Sequence, residues 1–119
     1  MAELNTFGAV LSFAIQLEAD IQRYYQQAGR DDRAKDAEKR KGKLEKARRE
    51  HVLEITLEPI EGLEEADYLP NFSDVSAEGQ QHVAQSAAAF YAAAAPKINV
   101  QQARRVLEKC GQEHRAQAG

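Results

Sequence analysis

Three side chains that can bind metal ions or move protons stand out in this sequence: Glu18, His51 and His114. Each lies within the apolar stripe of a different predicted helix, so each is expected to point toward the interior of a helical protein. Burying such a group without a partner is costly, and it therefore needs a counter-ion, a hydrogen bond or a metal ion. The three residues predict a polar or metal-bearing centre between helices.

Four amphipathic helices are predicted from apolar residues that recur at intervals of three and four. The first extends from about Leu4 to Ala28, and the second from about Arg33 to Leu57. The third begins after the N-cap Ser76 and ends at Pro96, while Asn99 opens the fourth as part of a capping box. Helix-forming residues dominate the composition, so the sequence predicts an all-α protein.

A long connection separates the second and third predicted helices. It extends from Glu58 to Val75 and contains Pro59, Gly62 and Pro70. Loops of this length are uncommon in compact domains, but a four-helix bundle can use one as a crossover. The sequence therefore predicts a single domain, residues 1–119, folded as an antiparallel four-helix bundle with a long crossover between helices 2 and 3.

Charge and composition restrict the class of protein. The net charge is −3, but residues 30–50 contain ten Lys or Arg against six Asp or Glu. Because these charges alternate in sign, we interpret the segment as a solvated helix face and expect no nucleic-acid partner. No apolar run approaches the roughly 20 residues that cross a bilayer, so no membrane association is expected. The single cysteine, Cys110, favours a reducing, cytoplasmic location.

The position of each predicted turn tests which residues can lie at the same level of a helical hairpin. Gln80 and His114 are equidistant from position 97, inside the predicted turn between helices three and four. Glu18 and His51 are equidistant from a point between positions 34 and 35, whereas Gly29 indicates a turn near position 31. With that turn, Glu18 and His51 would miss each other by about 10 Å, unless the first helix continues past Gly29 or the connection is asymmetric.

Short motifs in all four helices resemble those of the ferritin-like superfamily, nearest to its rubrerythrin branch. The motifs are AIQLE at 14–18 with Tyr25 seven residues later, REH at 49–51, SAEGQQH at 76–82 and QEH at 112–114. Bundles of this family hold two iron or manganese ions with a glutamate from each of two helices and a Glu-x-x-His pair from each of the others. The resemblance implies metal-ligand roles for Glu18, His51 and His114. It implies a supporting role for Tyr25, while Glu50 and Glu113, each next to a histidine, are weaker candidates to complete a single metal site.

The chain departs from the family pattern at three carboxylate positions. Arg48 stands three residues before His51, Gly111 stands three before His114, and Gln80 occupies the third-helix position. Two cations held by one remaining carboxylate would leave excess positive charge. We therefore predict a degenerate di-iron site in which the Arg48 guanidinium replaces the metal and pairs with Glu18.

The sequence contains no nucleophile-base arrangement and no phosphate-binding glycine loop, which argues against an enzyme. The leading hypothesis is a non-catalytic structural or oligomerising module without a cofactor. It is expected to form a homodimer or higher homo-oligomer, because rubrerythrin-like bundles commonly pair. A second hypothesis is a redox or metal-handling protein that retains iron or another divalent metal at Glu18, His51 and His114.

A third hypothesis is a small-molecule-binding helical bundle. Its cavity would be lined by small residues that face one another between helices three and four: Ala84, Ala87, Ala88, Ala103 and Gly111. The same residues could instead allow the helices to pack closely.

Overall fold

The computed structural model describes residues 4–50 and 60–118. Within them it is all-helical, which confirms the predicted class. The four α-helices are α1 (Phe7–Gln27), α2 (Asp31–Glu50), α3 (Ala77–Ala94) and α4 (Gln101–Ala118). Short 3-10 helices span Glu65–Tyr68 and Ala95–Lys97. The predicted continuation of the second helix to Leu57 lies outside the described residues, and none of the described helices has the length and apolarity needed to cross a membrane.

The turn between α1 and α2 is a Schellman motif centred on Gly29. Gly29 adopts a φ of 75°, a left-handed conformation that suits glycine. Its N–H donates to the Gln26 carbonyl at 3.2 Å, and the Arg30 N–H donates to the Tyr25 carbonyl at 2.8 Å. Because α2 begins at Asp31, only residues 28–30 join the two helices. The first helix therefore does not continue past Gly29.

The predicted apolar stripes form a shared core between the helices. Leu11 of α1, Leu44 of α2, Phe90 of α3 and Leu107 of α4 are all fully buried. Burying a side chain of this size contributes about 1.5–3 kcal/mol relative to leaving it exposed. Packing of these faces, rather than helix propensity alone, therefore holds the elements in place.

The described part of the α2–α3 connection is attached at two levels, first to the residues before α1 and then to α1 itself. The Leu4 N–H donates to the Leu63 carbonyl at 2.8 Å. Further along, the Tyr24 hydroxyl donates to the Asp74 carbonyl at 2.6 Å. These contacts fix where α3 begins relative to α1.

Ser76 is the N-cap of α3, as predicted. The Ser76 hydroxyl accepts a hydrogen bond from the Gly79 N–H at 3.2 Å, which satisfies one of the free donors of the first turn. Gly79 is needed for a steric reason, since a Cβ at this position would overlap the Asp74 carbonyl. The cap and the glycine together let the connection turn sharply into α3.

Candidate functional site

The carboxylate of Glu18 lies in the interior and is bound from three other helices. Glu18 is 0% exposed. Its Oε1 accepts from Arg40 Nε of α2 at 2.8 Å, and its Oε2 accepts from the Tyr91 hydroxyl of α3 at 2.6 Å. His114 Nε2 of α4 lies 2.8 Å from the same Oε2. The predicted convergence of Glu18 and His114 is therefore present, and all four helices meet at one carboxylate.

Arg40 bridges two carboxylates. Its side chain is 1% exposed, and while Nε binds Glu18, Nη1 donates to Glu113 Oε1 at 3.1 Å. Glu113 is about one third exposed, so the ion-pair chain leads from the interior to the edge of the protein. Charge-assisted hydrogen bonds of this kind are roughly twice as strong as neutral ones. Arg40 thus links α1, α2 and α4 through a single guanidinium.

The geometry of the first turn explains why Arg40 reaches Glu18. Both residues are 11 positions from Gly29, so they lie at the same level on the two sides of the turn. Arg40 also completes the inward stripe of α2, three residues after Ala37 and four before Leu44, both of which are buried. Its interior position follows from its register in the hairpin.

The predicted replacement of the metal by Arg48 is wrong. Arg48 is exposed in the last turn of α2, and the guanidinium that pairs with Glu18 belongs to Arg40, two helical turns earlier. The turn at Gly29 places Arg40, and not Arg48, at the level of Glu18. His51 itself lies outside the described residues.

The His114 imidazole is held on two sides. Because Nε2 faces a carboxylate oxygen, this nitrogen acts as the hydrogen-bond donor. The ring stacks on Tyr91, with centroids 5.8 Å apart and an interplanar angle of 9°. His114 Nδ1 is buried and has no hydrogen-bond partner among the described residues. The orientation of the ring therefore depends on its stacking against Tyr91 and on the contact of Nε2, and not on a hydrogen bond of Nδ1.

Gly111 stands where the family pattern has a glutamate, and its missing side chain makes room for Tyr91. A Cβ at Gly111 would lie 2.9 Å from the Cβ of Tyr91, closer than ordinary van der Waals contact. This close approach favours the packing interpretation of the small residues of α3 and α4 over a cavity at that point. Tyr91 is 1% exposed and its hydroxyl donates to Glu18, so this hydroxyl lies in the interior and not at the rim of the bundle.

The network keeps Glu18 ionised. Burial, the largest single influence, would raise the pKa of Glu18. The hydrogen bond and charge of His114, the charge of Arg40 and the hydrogen bond of Tyr91 outweigh it, so that the pKa is lowered. Burial would likewise lower the pKa of Arg40, but Glu18 and Glu113 raise it. Glu18 and Arg40 are therefore held as a buried ion pair.

Two neighbouring acids are held in their neutral forms. Burial and the negative charge of Glu18 raise the pKa of Tyr91 well above 10, which preserves the hydroxyl as a donor. Burial, with Glu18 adding to it, raises the pKa of the Cys110 thiol to about 12. Cys110 is thus suited to packing and not to nucleophilic chemistry.

Two other residues with predicted roles lie away from this centre. Glu50 is exposed at the end of α2, with its Oε1 3.9 Å from Lys46 Nζ. Gln80 lies in the first turn of α3, where its amide donates to the Val75 carbonyl at 3.0 Å and accepts from Arg30 Nη1 at 3.3 Å. The prediction that Gln80 takes the place of a carboxylate in the centre is therefore wrong.

Tyr25 is buried two helical turns from Glu18. The guanidinium of Arg33 lies 5.6 Å from the centroid of its ring. Its hydroxyl has no hydrogen-bond partner among residues 4–50 and 60–118. Within this part of the chain, no hydrogen bond gives Tyr25 the predicted supporting role toward Glu18.

The described residues do not suit a dinuclear metal centre. Among them there is no group of three or more His, Cys, Asp or Glu side chains placed to hold a metal ion. Glu18 and Glu113 are the two carboxylates nearest one another in the network, and the Arg40 guanidinium lies between them. A divalent cation bridging these carboxylates would need the space and the charge balance that Arg40 already supplies.

No protein-family model matches this chain, and no curated protein or solved structure matches it either. The resemblance to rubrerythrins therefore depends on the short motifs of the sequence.

Proposed function

We propose that this chain is a cytoplasmic, rubrerythrin-like antiparallel four-helix bundle whose dinuclear metal site has degenerated, and that it acts as a non-catalytic structural or oligomerising module. One observation carries the proposal. The Glu18 carboxylate is already bound by Arg40, Tyr91 and His114, at 2.8, 2.6 and 2.8 Å. Because protein donors already bind both of its oxygens, this carboxylate is not free to ligate a metal ion, and its ion pair would instead specify how the helices pack.

The guanidinium of Arg40 supports the idea of metal replacement. A bridging metal would join carboxylates from separate helices, and Arg40 does the same by binding Glu18 of α1 and Glu113 of α4. Its planar donors match carboxylate geometry, and its charge is permanent. The chain would then have exchanged a reactive cation for an inert one while keeping its helices linked.

Elemental analysis tests this proposal. The chain is purified without a histidine tag from medium containing iron, manganese and zinc, and metal is measured before and after EDTA treatment. We expect far less than one ion per chain and an unchanged melting temperature after EDTA. Stoichiometric metal that disappears in a His114→Ala or His51→Ala variant would reject the proposal in favour of the metal-handling hypothesis.

Sedimentation equilibrium tests the oligomerising role. We expect the mass of a homodimer or a larger homo-oligomer at micromolar concentration, with or without EDTA. A monomer under all these conditions would contradict that role. A melting temperature that rises with apolar small molecules, and not with chain concentration, would instead favour the small-molecule-binding hypothesis.

A further inference from the structure

A groove with a volume of about 460 Å³ opens on the surface between α1 and the α2–α3 connection. Residues 9–20 of α1 line one side of it, and residues 65–72 of the connection line the other. At about 1.5 Å per residue, the α1 side is about 16 Å long. The groove is therefore elongated along the axis of α1.

The connection follows α1 from its beginning toward its end. The Leu63 carbonyl accepts from the Leu4 N–H, and further along the ring centroids of Phe72 and Tyr24 are 5.7 Å apart. Glu65 comes two residues after Leu63 and Leu4 also lines the groove, so Glu65 lies at the end of the groove near the start of α1.

Most of the groove wall is apolar. Its larger apolar side chains are Leu4, Phe13, Leu17, Leu69, Pro70 and Phe72. Leu69 is 44% exposed, and Val75 is the other large hydrophobic residue that the described part of the chain leaves exposed. Pockets for small molecules have volumes of about 300–1,000 Å³ and predominantly apolar walls with a few polar groups. The groove meets both conditions.

The charged side chains that line the groove are acidic. They are Asp20 and Glu65, and no Lys, Arg or His of the described residues lines it. Asp20 accepts from the Gln16 amide and from Arg23, whereas Glu65 has no hydrogen-bond or ion-pair partner within residues 4–50 and 60–118. Both carboxylates are partly exposed, so a ligand can reach them from solvent. The groove thus offers one unpaired negative charge beside an apolar wall.

We propose that this groove binds a small cationic amphiphile, a molecule with one ammonium group on an elongated hydrocarbon body. The ammonium group would pair with Glu65, and the hydrocarbon would contact Phe13, Leu17 and Leu69. An anionic amphiphile would bring a like charge to a groove that already holds two carboxylates, which disfavours it. The site shares no residue with the Glu18 network or with α3 and α4, so it is independent of the proposed origin of the bundle.

Isothermal titration calorimetry with three ligands of equal chain length tests the charge preference. Decylamine is protonated at pH 7, as a lysine side chain is, while decanol is neutral and decanoate is anionic. Below their micelle-forming concentrations, decylamine should bind about three to five times more tightly than decanol, the range of a partly exposed ion pair, and decanoate should bind most weakly. Glu65→Gln should abolish the preference for decylamine. The matched control Glu61→Gln, at an exposed position outside the groove, should keep it.

A second pair of variants tests the apolar wall. Leu69→Ala removes apolar atoms that line the groove, and the matched control Val75→Ala removes them from a position that does not. The two side chains are 44% and 42% exposed, so neither substitution should unfold the protein. We expect the Kd of decylamine to rise about fivefold in Leu69→Ala, the effect of losing one to two buried methylene groups, and less than twofold in Val75→Ala.

The proposal is overturned if decylamine does not bind, if decanol or decanoate binds as tightly, or if the two members of either pair of variants behave alike. It is also overturned if a second copy of the chain fills the groove. In that case sedimentation would show an oligomer that Leu69→Ala dissociates and Val75→Ala does not, and decylamine would not bind. Metal content does not enter any of these outcomes, so a failure here is distinct from a failure of the degenerate-site proposal.

Discussion

Two adjacent residues of α3 pack into buried regions of different chemistry, one aromatic and one charged. Phe90 lies in an aromatic cluster, with ring centroids 4.7 Å from Phe13 and 5.8 Å from Tyr68. Tyr91, the next residue, donates its hydroxyl proton to Glu18 at 2.6 Å. Both side chains are buried to 1% exposure or less. The same helix therefore borders an apolar region around Phe90, the aromatic cluster, and a charged region around Glu18.

The difference between these regions lies in what each requires of a side chain. The aromatic cluster is stabilised by buried area and volume, so a residue of similar size can replace another at moderate cost. The charged region depends on the direction of each donor and on charge balance, so removing one partner leaves another unpaired. We expect the charged region to be far less tolerant of substitution, although Phe90 and Tyr91 are both buried.

Replacing Arg40 should produce the largest effect. In Arg40→Leu, Glu18 keeps its buried charge and loses its ion-pair partner, so the free energy of unfolding should fall by about 3–5 kcal/mol. Urea unfolding followed by circular dichroism measures this loss. The matched control Arg48→Leu, at an exposed position of the same helix, should change stability by less than about 0.5 kcal/mol.

A double variant separates a lost ion pair from a lost side chain. Adding Glu18→Leu to Arg40→Leu removes the unpaired carboxylate, so much of the stability should return. Additive losses in the double variant would mean that the two charges act independently. In that case the contrast between the two regions would reduce to ordinary packing.

Much of this centre could be predicted from the sequence, and its arginine shows why the rest could not. Periodicity placed Glu18 and His114 inside, and hydrogen bonding now joins them. Periodicity does not single out Arg40, because a charged residue in an apolar stripe resembles a break in the pattern. Its distance from the turn does, since Arg40 and Glu18 are equally distant from Gly29.

Tyr91 illustrates a different limit of sequence analysis. Its burial could be predicted, because it continues the inward stripe of α3. Its hydrogen bond could not, because it depends on the close approach that Gly111 allows between α3 and α4. Contacts between helices that are distant in sequence depend on backbone separations that periodicity does not specify.

Substitutions at Phe90 and Tyr91, the two adjacent residues of α3, compare the two regions directly. Tyr91→Phe removes only the hydroxyl, and we expect a loss of about 1.5–3 kcal/mol because the hydroxyl donates to an ionised carboxylate. Phe90→Leu removes more atoms but no polar contact, and should cost less than about 1.5 kcal/mol. Both are measured by urea unfolding at pH 7. If Phe90→Leu is the more damaging change, volume dominates in both regions.

The dependence of stability on acid pH tests whether Glu18, in the charged region, is ionised in the folded protein. The pKa of Glu18 is lowered in the folded protein from an ordinary value of 4.5. The unfolded chain then takes up the proton first, so the stability due to Glu18 is present above pH 4.5 and is lost as the pH falls through the folded pKa. The free energy of unfolding of Glu18→Gln, measured from pH 7 to 3, should fall less steeply than that of the unmodified chain.

The exposed position Glu61 provides the matched control for that titration. Glu61→Gln makes the same chemical change without touching the network, and should preserve the acid-side slope of the unmodified chain. If both variants flatten the slope equally, the acid sensitivity comes from general charge and not from the buried ion pair.

The smallest expected effect concerns Cys110, which is buried on α4 beside the charged region. With a pKa of about 12 and 2% exposure, its thiol should be almost unreactive at pH 8, where about one molecule in ten thousand is ionised. Labelling with a chromogenic disulfide reagent should therefore be slow in buffer and complete within minutes in denaturant. Because the folded pKa lies above the ordinary value of 9.0, the contribution of the neutral thiol to stability is present below pH 9 and lost as the pH rises toward 12. Rapid labelling of the folded protein at pH 8 would mean that the helices around Arg40 open readily, and that the charged region is the less rigid of the two.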